Sequence, residues 1–74
     1  MMLSDLKAAV VNARERGHQW IMLVVPREPS GRSTRMRVLP GLMGEARSVN
    51  SDGHSVVECK VDDVDRFVKR AEAR

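Results

Sequence analysis

The sequence predicts an α+β fold in one small domain, residues 1–74, ordered helix, four strands, helix. Three observations lead there. A stretch at each end repeats apolar residues at helical spacing; the apolar runs between them are short, β-branched or alternating; and turn residues separate those runs. The strands should form a mainly antiparallel four-stranded sheet or a small closed barrel carrying an N-terminal and a C-terminal helix.

Ser4 is the expected N-cap of the first helix, with Asp5 in its first turn facing the positive end of the dipole. Leu6, Ala9, Val10 and Ala13 then fall at i, i+3, i+4 and i+7, a narrow apolar stripe built of small residues. Arg14 and Arg16 suit the last turn, and Gly17 supplies the stop.

Trp20-Ile21-Met22-Leu23-Val24-Val25 is the longest apolar run. It is too short for a buried helix, carries an aromatic and three β-branched residues, and stops at Pro26, so it reads as a strand. Because it does not alternate, both of its faces should be covered. Two narrow helix stripes cover one face at most, so the other is left to sheet curvature or to a partner.

Pro26 to Ser33 holds two prolines, a glycine and two serines and reads as an exposed loop. Thr34 to Leu39 alternates, with Thr34, Met36 and Val38 on one side and Arg35 and Arg37 on the other, as a half-buried strand does. Pro40-Gly41 makes the turn. Met43 to Val49 follows as a weaker strand, with Gly44, Ala46 and Ser48 opposite Met43, Glu45, Arg47 and Val49. Asn50-Ser51-Asp52-Gly53 then turns the chain into His54 to Val61, where Val57, Cys59 and Val61 share a face opposite Val56, Glu58 and Lys60. Asp62 or Asp63 caps a closing helix whose Val64, Phe67, Val68 and Ala71 repeat at i, i+3, i+4 and i+7.

Arg37-Val38-Leu39-Pro40-Gly41-Leu42-Met43-Gly44-Glu45-Ala46 resembles the KOW-type segment of SH3-like small barrels, where a strand runs into a glycine-containing turn and out along the next strand. The resemblance covers roughly ten residues and implies an SH3-like barrel of a kind that binds RNA, ribosomal surfaces or proteins. Ala46, where that pattern has a β-branched residue, and the terminal helices depart from it, and it carries no functional residues over to this chain.

The composition narrows the function classes. The single cysteine, Cys59, excludes an internal disulfide, and no charged stretch followed by an apolar one opens the chain, so a reduced cytoplasmic setting is expected. The longest apolar run is far too short to span a bilayer. Five methionines against one Phe and one Trp give an adaptable core, and a chain of this length has a thin one, which favours a protein partner or a homodimer.

The net charge of +3 is concentrated in mid-chain, where Arg27, Arg32, Arg35, Arg37 and Arg47 stand against Glu28 and Glu45 while the remainder balances. These arginines are candidates for contact with phosphate or with an acidic partner, and counterion release would make nucleic-acid binding through them salt-sensitive. The bland alternative is a solvated strand face with cross-strand ion pairs. Only Trp20 and Phe67 offer rings for stacking on bases, and both read as core.

Core or interface packing also outweighs a ligand platform for Trp20, and Met22 joins it as an interface candidate. Cys59 lies on the inward face as an inert small hydrophobe, and His18 and His54 lack ligand partners at metal spacing. The Asp62, Asp63, Asp65 group lacks the spacing and glycine of a calcium loop. No nucleophile motif, phosphate loop or dinucleotide fingerprint occurs, so no catalytic residue, metal, cofactor or small-molecule substrate is expected. The reading that needs fewest special residues is a non-enzymatic protein-interaction or accessory module that can self-associate; nucleic-acid association through the segment 27–47 is the alternative.

Overall fold

A computed structural model of the chain describes residues 2–28 and 34–74. Its elements are α1 (Leu3–Glu15), β1 (Trp20–Val25), β2 (Arg35–Leu39), β3 (Leu42–Val49), β4 (Ser55–Lys60) and α2 (Val61–Glu72), the α-β-β-β-β-α order of an α+β fold. The strands form one open sheet in the order β1-β4-β3-β2. Because β1 and β2 are its two edges, the sheet alternative holds and the closed barrel does not. The residues of the loop expected over Pro26 to Ser33 that lie in 29–33, Arg32 among them, fall outside the described residues.

The chain divides into two compact units, Met1–Ile21 with Lys60–Arg74, and Met22–Cys59. In the first, α1 and α2 pack against each other. They run antiparallel, because Lys7 near the start of α1 meets Glu72 at 3.0 Å and Arg14 near its end meets Asp62 at 3.2 Å and Asp65 at 3.3 Å. Leu6, Val10 and Ala13 of α1 and Val61, Val64 and Val68 of α2 are buried, each set on one helical stripe. Phe67 is half-buried.

Both expected caps are corrected. α1 begins at Leu3, with the Met2 carbonyl accepting from Asp5 and Leu6 N–H, so Ser4 lies inside the first turn. α2 follows β4 without a linker: Lys60 occupies the N-cap position without a side-chain cap, and Val61 opens the helix instead of closing the strand. Asp62 and Asp63 therefore stand in the first turn, where they favour the helix through the dipole and not as caps. The α1 stop is as expected. Gly17 takes φ +71°, Gly17 N–H reaches the Arg14 carbonyl and His18 N–H the Ala13 carbonyl, the paired closure of a Schellman motif.

In the second unit, β2 and β3 form a hairpin with Arg35 opposite Glu45 and Met36 opposite Gly44, closing at Leu39 opposite Leu42. Gly41 takes φ +91° in the turn, as proline followed by glycine allows. Next, β3 and β4 pair antiparallel, Glu45 opposite Glu58 and Ala46 opposite Val57, until the register shifts between Ala46 and Ser48. That irregularity ends the alternation expected along β3, and Arg47, Ser48 and Val49 are all exposed. The Asn50 side-chain oxygen accepts from Asp52 and His54 N–H and holds the β3–β4 turn.

Gly44 lies close against β4. A Cβ there would stand 2.5 Å from Val57 Cγ1 and 2.6 Å from Cys59 Sγ. Besides Gly44, the buried residues of this unit are Val25, Met36, Val38, Leu42, Ser55, Val57 and Cys59. Ser55 is satisfied, its hydroxyl donating to the Arg27 carbonyl at 2.7 Å.

Candidate interaction surface

β1 departs most from expectation. Ile21 and Val25 are buried, but Trp20, Met22 and Val24 are 42%, 52% and 49% exposed. Successive side chains of a strand point to opposite faces, so these three form one row on the solvent side. Sheet curvature therefore does not cover the second face, and of the two readings of Trp20, core and interface, the core one is overturned. An unbroken apolar run marks two apolar faces without saying that both are covered, and a thin core leaves the second bare. Trp20 and Met22 were legible as interface candidates. Val24 was missed, although its i, i+2, i+4 relation to them was available in the sequence.

The row sits on an edge strand without a charged residue. The other strands each carry charge: Arg35 and Arg37 on β2, Glu45 and Arg47 on β3, Glu58 and Lys60 on β4. At one end of the row the Lys60 ammonium stands 5.8 Å from the centre of the Trp20 ring. Beside them, Arg14, His18, Trp20, Lys60 and Asp62 border a cavity of about 460 Å³. Arg14 is committed to Asp62 and Asp65, so of the two basic side chains at this cavity one is already engaged by carboxylates. Lys69, 3.1 Å away, and Arg14 together hold the Asp65 carboxyl below the ordinary aspartate value, the Lys69 hydrogen bond contributing most.

The arginine candidates separate in space. Arg47 lies between Glu58, 3.3 Å away, and Glu45, 3.4 Å away, and so offsets part of the repulsion between two carboxylates that face each other across β3 and β4. It is part of an ion-pair group on the sheet. Arg27 donates through its guanidinium to the Arg37 carbonyl, which brings these two candidates together, and Arg35 and Arg37 share the exposed side of β2.

Among the described residues, no group of three or more His, Cys, Asp or Glu is arranged to hold a metal ion, and no helix is long and apolar enough to cross a membrane. No protein-family model, curated protein or solved structure matches the chain.

Proposed function

We propose that the chain is a small non-enzymatic protein-interaction module and that the outward row of β1 is its docking element. The observation that carries this reading is the exposure of Trp20, Met22 and Val24 together on an uncharged edge strand. An edge strand offers backbone donors and acceptors to an incoming strand, and proteins that must remain single guard such edges with lysine, proline or bulges. β1 has no lysine or proline within its six residues. The large, rigid side chain of Trp20 is also the residue type that anchors interfaces best. The chain has a single cysteine, Cys59, and it is buried, a usage in keeping with work in a reducing cytoplasm.

Capture experiments with the wild type, Met22→Asp and Val49→Asp test the reading. Val49 is equally exposed, at 54%, but lies on β3. A partner that is retained by the wild type and Val49→Asp, lost with Met22→Asp, identified by mass and rebound as a purified protein supports the proposal. Equal retention by all three chains sinks it.

A second reading, phosphate binding, draws on the meeting of Arg27 with Arg37 beside the exposed side of β2. Its weakness is Arg47, which two glutamates already hold. A gel shift at low salt that disappears as salt is added would favour it, and no shift at low salt would remove it.

A further inference from the structure

We infer that the occupant of the β1 edge is a second copy of this chain, joined antiparallel about a two-fold axis at Met22. The inference rests on the interaction reading above and names its partner.

The hydrogen-bonding side of β1 narrows the register. Val61 N–H donates to the Gln19 carbonyl at 3.0 Å, so the backbone of residue 19 is directed toward the β4 side. Along a strand, residues whose N–H and C=O point to one neighbour alternate with residues whose groups point to the other. Trp20, Met22 and Val24 therefore turn their backbone groups to the open edge, the same three residues whose side chains form the exposed row. An antiparallel neighbour keeps its exposed side chains on the same face only if residues of equal parity oppose each other. Every two-fold centred on a residue meets that condition; the one with Met22 opposite Met22 sets Trp20 opposite Val24 and Ile21 opposite Leu23, makes the first two pairings hydrogen-bonded, and so forms more hydrogen-bonded pairs than a centre at Ile21 or Leu23.

Charge separates this joint from the alternatives. No formal charge lies on β1, so the self-pairing sets no like charges against each other. The other edge differs: β2 paired with itself about Met36 would bring Arg35 directly against Arg37, an unfavourable like-charge pair. One edge is open to a copy and the other is guarded, so assembly ends at two chains in an eight-stranded sheet. Six residues at roughly 3.4 Å each make a contact only about 20 Å long, which places the dimer among small, concentration-dependent interfaces.

Sedimentation over a concentration series, combined with cysteine cross-linking, tests this. Opposed residues in a hydrogen-bonded antiparallel pair have Cα atoms about 5.5 Å apart, within disulfide range. Oxidation should link the Met22→Cys chain to itself, whereas Trp20→Cys and Val24→Cys should each stay unlinked alone and link when mixed. The parent chain, whose Cys59 is buried, is the control. Met22→Lys should abolish the sedimenting dimer. A chain that remains monomeric through about 1 mM, or a dimer in which Met22→Cys fails to link, overturns the inference. If Met22-dependent capture of a different protein persists in that case, the interaction reading stands and only the second copy is lost; if capture is absent as well, both fall.

Discussion

Lys60 holds its ammonium 5.8 Å from the centre of the Trp20 ring, at the end of an apolar row that faces solvent. A cation over a partly exposed ring contributes about 0.5–1 kcal/mol, so Lys60→Gln should lower stability by no more than about 1 kcal/mol in chemical denaturation. Trp20→Ala should cost more than that, through the buried part of the ring, but less than the roughly 3–5 kcal/mol seen for fully buried aromatics, because Trp20 is 42% exposed. A loss at the top of that range would contradict the exposed placement.

Gly44 is the position where β3 tolerates least. Its backbone is not in the positive-φ region, so the constraint is space: a Cβ would meet Val57 at 2.5 Å, Cys59 at 2.6 Å and the Glu58 carbonyl at 2.9 Å. Gly44→Ala should cost about 1–3 kcal/mol through overpacking, and the cost should shrink when Val57→Ala is added, because the methyl group nearest the new atom is then gone. Gly17→Ala is the contrast, since nothing lies within 4 Å there and only its φ of +71° opposes the change.

Arg47 stabilises by separating like charges. Without it, Glu45 and Glu58 face each other across adjacent strands. Arg47→Ala should cost on the order of 0.5–1 kcal/mol at low ionic strength, and molar salt should erase most of that cost by screening the two carboxylates. An effect unchanged by salt would mean that packing of the arginine stem, and not charge, carries it. Because Arg47 is so engaged, any phosphate binding by the chain should be insensitive to this substitution.

The element order was legible because each signal was local. Helical periodicity marked α1 and α2, alternation marked β2 with Met36 and Val38 inward, and Gly41 and Gly53 marked turns in which both take positive φ. What was not legible depended on strand order. The sequence cannot say that β4 lies between β1 and β3, and that placement makes β1 an edge and sets Glu58 opposite Glu45. The caps failed for a related reason. Ser4 and Asp62 have the chemistry of capping residues, but α1 starts at Leu3 and β4 passes directly into α2, which shifts both out of the cap position. In the candidate site, Trp20 and Met22 could be named from residue type, whereas the commitment of Arg47 to two glutamates needed the register.

Asp65 provides an acid-sensitive tie between the two helices. Its carboxyl accepts from Lys69 on the same helix at 3.1 Å and pairs with Arg14 of α1 at 3.3 Å, and these partners, Lys69 foremost, lower its pKa from the ordinary 3.8. A carboxylate whose pKa is depressed by folding contributes stability that is fully present above its unfolded value and is lost as pH falls through the folded one. Asp65→Asn removes the charge at every pH, while Arg14 keeps its other partner, Asp62, at 3.2 Å. The wild type should therefore exceed Asp65→Asn in stability by a constant margin at neutral and mildly acidic pH. That margin should close as pH drops below 3.8, because protonated aspartate then resembles the asparagine. Paired denaturation series from neutral pH down to about 2 measure it. A margin that stays constant throughout, or widens in acid, would show that the Asp65 contacts with Lys69 and Arg14 do not hold the helices together through charge.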